Sequence, residues 1–501
     1  MNRYSIHFET LGCRLNQDES EGAARCFANK GFVTDLEPLT AKREEDNSTI
    51  LSVINTCTVT GKAEQKARRL IRLMLQKFPL APVVVTGCYA ELDRSEIKSI
   101  DPHRIAVLSG TKKYILFKIS DSIGDDGPLS YSKGLLTADN LDNFIDKYDG
   151  KADYKESAEG KKSLILSSSV KRESKLDMFS LYTPVFEKHS RSSLKIQDGC
   201  NNECAFCRIH LARGKSVSLD VQTVINRVKE LEKTGMSEVV LTGVNLSQYA
   251  YVDEAGEKTD FAGLLKLLLD NTSSIKFRIS SFYPQHITRE LCKILADKRV
   301  QPFFHLSIQS GSDRILKLMR RPYKRSDVIN AVNLLREVKN APFISCDIIA
   351  GFPGESEEDF EETKSLCDEV KFAWIHAFPF SPRPGTPAFN MKPQIPERIK
   401  DERVKYLTSK AIEGKSDYIT RCIGKDYDAI VENSRSQRMG LDEDSIIHCV
   451  TDNFLHVECK VNDIRSSQHV LPGSLVRVKI ENAAMESILK GKETEAIGKI
   501  L

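Results

Sequence analysis

No apolar run in this 501-residue chain reaches the roughly 18 residues that a membrane-spanning helix needs, so a membrane span is not expected. The first residues, MNRYSIHFETLGC, set charge inside their apolar stretch and read as a strand, so a secretory leader is not expected either. Together these absences make the cytoplasm the expected compartment. A strong excess of one charge is also lacking. The net charge is only +3, too small to argue for nucleic-acid binding from the whole chain, so any such case rests on local clusters. In a reducing compartment a disulfide frame is excluded, and the 13 cysteines become thiols, metal ligands or catalytic groups. What remains is an ordinary globular composition, 40% hydrophobic and 29% charged, at a length that predicts about two to four domains.

Strand-like and helical runs alternate along residues 1–118: YSIHFETLG before DESEGAARCFANKG, STILSVINT before GKAEQKARRLIRLMLQKF, PVVVTG before ELDRSEIKSI. That alternation predicts an α/β domain with a parallel sheet. Residues 119–188, rich in Gly, Ser and charge, read as a linker or surface insertion. Across 189–415 six strand candidates return: SSLKIQDG, SEVVLTGVN, KFRISSFYP, PFFHLSIQSG, PFISCDIIAGFPG and WIHAFPFSP. Six βα units fit a partial (β/α)6 barrel, with a doubly wound sheet as the alternative; in both, the working surface lies at the carboxyl ends of the strands. Residues 416–501 carry short strands with polar turns and predict a small β-barrel.

The stretch DGCNNECAFCRIHLARGK holds Cys200, Cys204 and Cys207 just past a predicted strand end. Three thiols at C-x3-C-x2-C spacing fall one short of a closed zinc site, unless His210 completes it. A 4Fe-4S cube takes four thiolates, so three leave one iron open to a ligand with an amino group and a carboxylate, such as the methionine end of S-adenosylmethionine (SAM). A second set, Cys13, Cys57 and Cys88, ends the runs FETLGC, SVINTC and VVVTGC. If those strands are parallel neighbours, the three thiols converge on one sheet edge, beside Asn16 and Asn55. The other seven cysteines, Cys26, Cys292, Cys346, Cys367, Cys422, Cys449 and Cys459, show no such placement and read as packing residues.

The C-x3-C-x2-C loop after a barrel strand resembles that of the radical SAM superfamily, with Phe206 where an aromatic lies near the adenine. With the N-terminal cysteine domain and a C-terminal barrel similar to a TRAM domain, the chain resembles the methylthiotransferase family. TLGCRLNQDESE, VVLTGVNL, RISS, HLSIQSGSDRILKLMRRPY, DIIAGFPGE and FPFSPRPGTPAFNMKPQIP look most like its MtaB-type branch. Glu203 and His210 depart from it, standing where an aromatic and a proline are usual.

The resemblance implies two 4Fe-4S clusters, on Cys200, Cys204 and Cys207 and on Cys13, Cys57 and Cys88, with no catalytic residues beyond them. It implies SAM as radical source and as methyl donor. A deoxyadenosyl radical would take the hydrogen from C2 of N6-threonylcarbamoyladenosine beside the tRNA anticodon, and a methylthio group would take its place. Gly243, Asn245, Gln309, Ser310, Gly351 and Glu355, at the expected strand ends, are the candidate SAM contacts with Phe206. The partners implied are a tRNA anticodon stem-loop and an electron donor such as flavodoxin or ferredoxin, with no membrane.

Local charge offers three candidate RNA contacts: Lys62, Lys66, Arg68, Arg69 and Arg72 on one helix; Lys317, Arg320, Arg321, Lys324 and Arg325; and Arg208, Arg213 and Lys215. From Cys422 onward, 10 Lys and Arg stand against 13 Asp and Glu, which argues against that domain as a strong RNA clamp. A strip of Arg435, Arg438, Arg477 and Lys479 is its one basic candidate. The alternatives are action on isopentenyladenosine tRNA or a ribosomal protein, a cobalamin-dependent methylase, whose expected D-x-H-x-x-G stretch is lacking, and a non-catalytic RNA-binding protein with structural metal sites.

Overall fold

The computed structural model describes residues 4–124, 126–148, 178–184, 191–432, 446–460 and 471–501. The chain divides into two compact units: Met1–Thr183 with Asp198–Asn202 and Cys207–Leu219, and Pro184–Gln197 with Glu203–Phe206 and Asp220–Leu501.

The first unit is built on five strands, β1 Ser5–Thr10, β2 Val33–Asp35, β3 Thr49–Thr56, β4 Val83–Gly87 and β5 Ile105–Val107. All pairings are parallel, in the order β2-β1-β3-β4-β5. Every residue of β3 and β4 is buried, as parallel strands covered on both faces require. Period-two alternation splits these strands between two cores. Val53, Val84 and Ala106 face helix α1, Arg14–Ala28, through Ala23, Ala24 and Phe27. Ile54, Val83, Val85, Ile105 and Val107 face α2, Gly61–Lys77, through Ala67, Ile71 and Met74. Thr60 starts α2 by accepting the Ala63 N–H on its hydroxyl.

The expected boundary at 118 does not hold. Helices at Ile115–Ser122 and Ala138–Tyr148 complete the α1 side of the sheet with Ile119, Ile123, Leu129, Leu136, Leu141, Phe144 and Ile145, and Leu181 joins them. The polar composition of 119–148 conceals an apolar stripe at helical spacing, Leu141, Phe144 and Ile145. Asp142 ties that stripe's helix down by accepting from Lys98 at 2.6 Å. Of the expected insertion, residues 125, 149–177 and 185–188 lie outside the described residues.

The second unit carries the six expected strands: β6 Ser192–Lys195, β9 Glu238–Thr242, β12 Lys276–Ile279, β13 Phe303–Gln309, β14 Phe343–Ala350 and β15 Trp374–Pro379. Between them in the chain come the short strands β7 Gln197–Asp198, β10 Ala250–Val252 and β11 Lys258–Asp260, and β8 Val217–Ser218, which belongs to the first unit. Parallel triplets β6-β9-β12 and β13-β14-β15 are joined by single parallel bridges, Phe277 to Val300 and Phe282 to Leu306. Strand order follows chain order without reversal, which gives the partial barrel and excludes the doubly wound sheet. A long helix, Glu397–Cys422, carries the chain across the expected domain boundary at 415/416. After it, β16 Asp426–Val431, β17 Ile446–Thr451, β18 His456–Lys460, β19 Leu475–Ala483 and β20 Ala496–Ile500 close a barrel in the order β16-β17-β18-β20-β19. Its core is continuous with Phe343, Ala373 and Tyr418 of the preceding elements.

Candidate metal centres and cofactor loops

Cys13 caps α1, Cys57 follows β3, and Cys88 opens the short helix Cys88–Leu92 directly after β4. Since β1, β3 and β4 are parallel neighbours, the three thiols arrive at one edge, as their strand-end positions predict. They are near enough to feel one another. Burial is the main force pushing the Cys57 thiol up to about 11; the Val59 N–H opposes it, and Cys88 and Cys13 add to it. Two glycines permit the approach. Gly12 (φ +105°) and Gly87 (φ +100°) occupy the left-handed side of backbone space, immediately before Cys13 and Cys88. A Cβ on Gly12 would lie 2.7 Å from Cys57 Cβ, and one on Gly87 2.3 Å from the Thr56 carbonyl oxygen.

The two asparagines tie these loops together. Asn16 Nδ2 donates to the carbonyls of Leu11 (2.8 Å) and Thr56 (3.1 Å), bridging the segments before Cys13 and Cys57. Asn55 Nδ2 donates to the Asn16 carbonyl at 3.0 Å. Asn16 Oδ1 accepts from Arg213 at 2.7 Å and from Lys113 at 3.3 Å.

Arg213 is buried and donates to Asp198 at 2.9 Å and Glu19 at 3.2 Å; Lys113 also pairs with Glu19. Arg208 is likewise buried, on Glu64 (3.1 Å), Asp93 (3.0 Å) and Thr58 (3.3 Å). Both arginines are therefore structural cations beside the cysteine loops, and the reading of them as RNA contacts is withdrawn. Lys215 remains exposed.

In the C-x3-C-x2-C loop, Cys200 Sγ accepts the Asn202 N–H and Cys207 Sγ the Ile209 N–H, each at 3.4 Å. Cys204 is buried, and Arg321 Nη1 donates to its sulfur at 3.2 Å. Arg321 lies over the Tyr283 and Tyr323 rings and donates to Tyr283 Oη (2.8 Å) and the Ser307 carbonyl (2.9 Å). Sequence spacing placed Arg321 and Arg325 in an RNA-facing run. Instead Arg321 is held against a candidate ligand, and Arg325 is spent on Glu369 (2.9 Å) and the Glu362 carbonyl (2.5 Å). Lys317, Arg320 and Lys324 stay exposed. So do Lys62, Lys66, Arg69 and Arg72 on α2, whereas Arg68 bonds Tyr89 and Glu96. Arg477 pairs with Asp428 at 2.9 Å, and Arg435 and Arg438 lie outside the described residues.

Converging thiols that lack a fourth protein ligand, and N–H donors to sulfur, are the donor set an iron–sulfur cube with one open iron takes. Among the described residues no three His, Cys, Asp or Glu side chains stand close enough to share a single ion, and this holds for the two cysteine sets as it does for His210.

The candidate SAM residues sit at strand carboxyl ends. Gly243 and Asn245 follow β9; a Cβ on Gly243 would meet Gln197 Oε1 at 2.8 Å, and the Asn245 N–H donates to that same oxygen at 2.8 Å. Gln309 ends β13 at φ +64°, a left-handed conformation costly for a side chain of its size. Gly351 follows β14 at φ +74°, where a Cβ would meet Lys400. Phe206 packs partly buried on Ala205, Met319, Phe352 and Phe380. Two candidates spend their polar atoms inside the fold. Ser310 Oγ lies 3.4 Å from Thr363 Oγ1 and accepts the Ser312 N–H. Glu355 accepts the Gly351 N–H (2.6 Å) and Arg403 (2.5 Å), and burial raises its pKa.

Residues 194–367 match the radical SAM superfamily, and residues 5–109 match Uncharacterized protein family UPF0004. The chain is 41% identical to the threonylcarbamoyladenosine tRNA methylthiotransferase MtaB of Treponema pallidum, over 96% of this chain and 98% of that one. The chain belongs to the MtaB family. The Bacillus subtilis member is 32% identical over 96% of this chain and 94% of its own. A tRNA-2-methylthio-N(6)-dimethylallyladenosine synthase from Rickettsia akari, outside the MtaB family by name, is 28% identical over 97% of this chain. Among solved structures, the radical SAM methyltransferase TsrM of Kitasatospora setae aligns at a TM-score of 0.48 and 14% identity, covering 77% of each chain.

Proposed function

We propose that this chain inserts a methylthio group at C2 of N6-threonylcarbamoyladenosine beside the tRNA anticodon. Full-length identity to MtaB enzymes supports that substrate. The single structural observation that carries the chemistry is the convergence of Cys13, Cys57 and Cys88 beyond three neighbouring parallel strands, in a chain that also holds the C-x3-C-x2-C loop. Cys200, Cys204 and Cys207 would hold one 4Fe-4S cluster and the N-terminal trio the other. When bound, the clusters and SAM supply one-electron cleavage of a C–S bond and a sulfur donor, which an unactivated purine C2 requires.

The chain's own residues position these groups. Gly12 and Gly87 let the trio close, Asn16 fixes two of its loops, and Arg321 fixes Cys204. Gly243, Asn245, Gln309, Gly351 and Phe206 shape the strand-end loops for SAM. Ser310 and Glu355 brace those loops from within. Lys62, Lys66, Arg69 and Arg72 are the exposed cations that suit tRNA phosphates. A small redox protein such as flavodoxin or ferredoxin would supply the electrons. No described helix is long and apolar enough to cross a membrane. A tRNA substrate suits work in the cytoplasm.

The test is to express the chain in a bacterial strain lacking this modification and to analyse its tRNA nucleosides by mass spectrometry. Appearance of 2-methylthio-N6-threonylcarbamoyladenosine is expected. Methylthio mass on an isopentenyladenosine or on a ribosomal protein instead would replace the substrate assignment.

A further inference from the structure

At the amino ends of β13, β14 and β15 the second unit forms an open pocket of about 320 Å3. Its walls are the first residues of those strands, Phe303, Phe343 and Trp374, with His376, and Phe454 and His456 from the C-terminal barrel. The cofactor loops follow the opposite ends of the same strands, one strand length of roughly 20 Å away.

The walls are aromatic. Phe303 stacks on Phe343 with centroids 5.8 Å apart, and Phe454 lies 4.3 Å from Phe303. Phe454 is held at φ +71°, where a bulky side chain is strained, beneath the guanidinium groups of Arg278 (5.1 Å) and Arg191 (5.4 Å). Lys415 Nζ covers one side of Trp374 at 4.0 Å.

Polar groups share the lining, Ser345, His376, His456 and four charged side chains, and those charges balance. Lys415 pairs with Glu495, and Lys492 and Glu493 at the rim cancel, so neither an anion nor a cation is selected. His376 is exposed to the cavity and has no hydrogen-bond partner among the described residues. Burial, and then the neighbouring His305, depress its pKa to about 4, so at neutral pH its ring offers one donor and one acceptor.

We propose that this cavity binds a flat, uncharged heteroaromatic ring of nucleobase type, packed against the Trp374 and Phe454 walls with its edge toward His376. The volume suits a nucleoside, and the aromatic walls suit any base. The base could be that of a free nucleoside or one presented by single-stranded RNA. This site is separate from the chemistry proposed above, since it uses neither cysteine set and none of the cofactor loops.

Trp374 is the single tryptophan of the chain, so its emission reports on this cavity alone. The cluster-loaded protein, without SAM or reductant, is titrated with adenosine and, separately, with a short single-stranded oligoribonucleotide. A saturable emission change is expected, with affinity about tenfold weaker or worse in Phe454→Ala and His376→Ala. Response to adenosine assigns a free-nucleoside site; response to the oligonucleotide alone assigns a base held on RNA. Melting curves check folding, and if Phe454→Ala fails to fold, His376→Ala decides. No saturable change with either probe, or a change that survives the substitutions, overturns the proposal whatever the outcome of the tRNA test.

Discussion

Cys57 shows how one residue separates the two halves of the chemistry. It touches none of the C-x3-C-x2-C loop's sulfur contacts, yet it is the buried centre of the N-terminal trio. Cys57→Ala is expected to bind about four iron atoms per chain instead of about eight. It should still cleave SAM to 5′-deoxyadenosine while forming no methylthio product; normal product would refute the trio's role. Arg321 acts through Cys204. Removing its donated hydrogen bond in Arg321→Leu should move that cluster's midpoint potential negative, on the order of tens of millivolts, in an EPR-monitored redox titration. Nothing in the sequence pattern distinguishes Arg321 from Arg320, because its partners are tertiary. Asn16, likewise, meets Arg213 across 197 residues of chain. The strand-end positions of Cys13, Cys57 and Cys88 could be read in the sequence, whereas the burial of Arg208 and Arg213 and the contact of Arg321 with Cys204 could not.

At the level of elements, two predictions test why the strands and helices end as they do. Gly87→Ala forces a Cβ against the Thr56 carbonyl at a backbone angle that only glycine adopts freely. It should lose the iron bound by the N-terminal trio while leaving the other cluster's absorbance in place. The helix Glu357–Val370 starts in a reciprocal cap: Ser356 Oγ accepts the Asp359 N–H, and Asp359 accepts the Ser356 N–H. Burial alone would raise the Asp359 pKa, but Arg314, the Ser356 N–H and Ser312 hold it well below its usual value. The stabilisation is therefore complete above about pH 4 and fades as acid protonates the carboxylate. Asp359→Ala should cost about 1–2 kcal/mol in chemical denaturation at neutral pH, and less as the pH falls below that point. The strands that sequence alone missed are β2, β5, β10 and β11, three residues each, the two-residue β8, and β20, whose AIGKI follows a charged turn. Elements so short carry too few alternations to announce a period. The helix at Ala138–Tyr148 was hidden differently, by acidic residues on its outer face.

For the molecule as a whole, the second unit depends on one buried charge group. Arg278 donates to Glu238 at 2.7 and 2.8 Å, and also to the carbonyls of Asp452 and Thr451 between β17 and β18. It thereby fastens the partial barrel to the C-terminal one. Arg278→Met leaves Glu238 buried with less than its full complement of donors and should destabilise this unit by about 3–5 kcal/mol, seen as a lowered melting transition. The sheet of the first unit has only the three-residue strands β2 and β5 at its edges, the partial barrel ends on β6 and β15, of four and six residues, and the C-terminal barrel closes on itself. Long unpaired backbone is what recruits further chains into fibrils. A preparation stripped of iron should accordingly stay dispersed long enough for its clusters to be rebuilt.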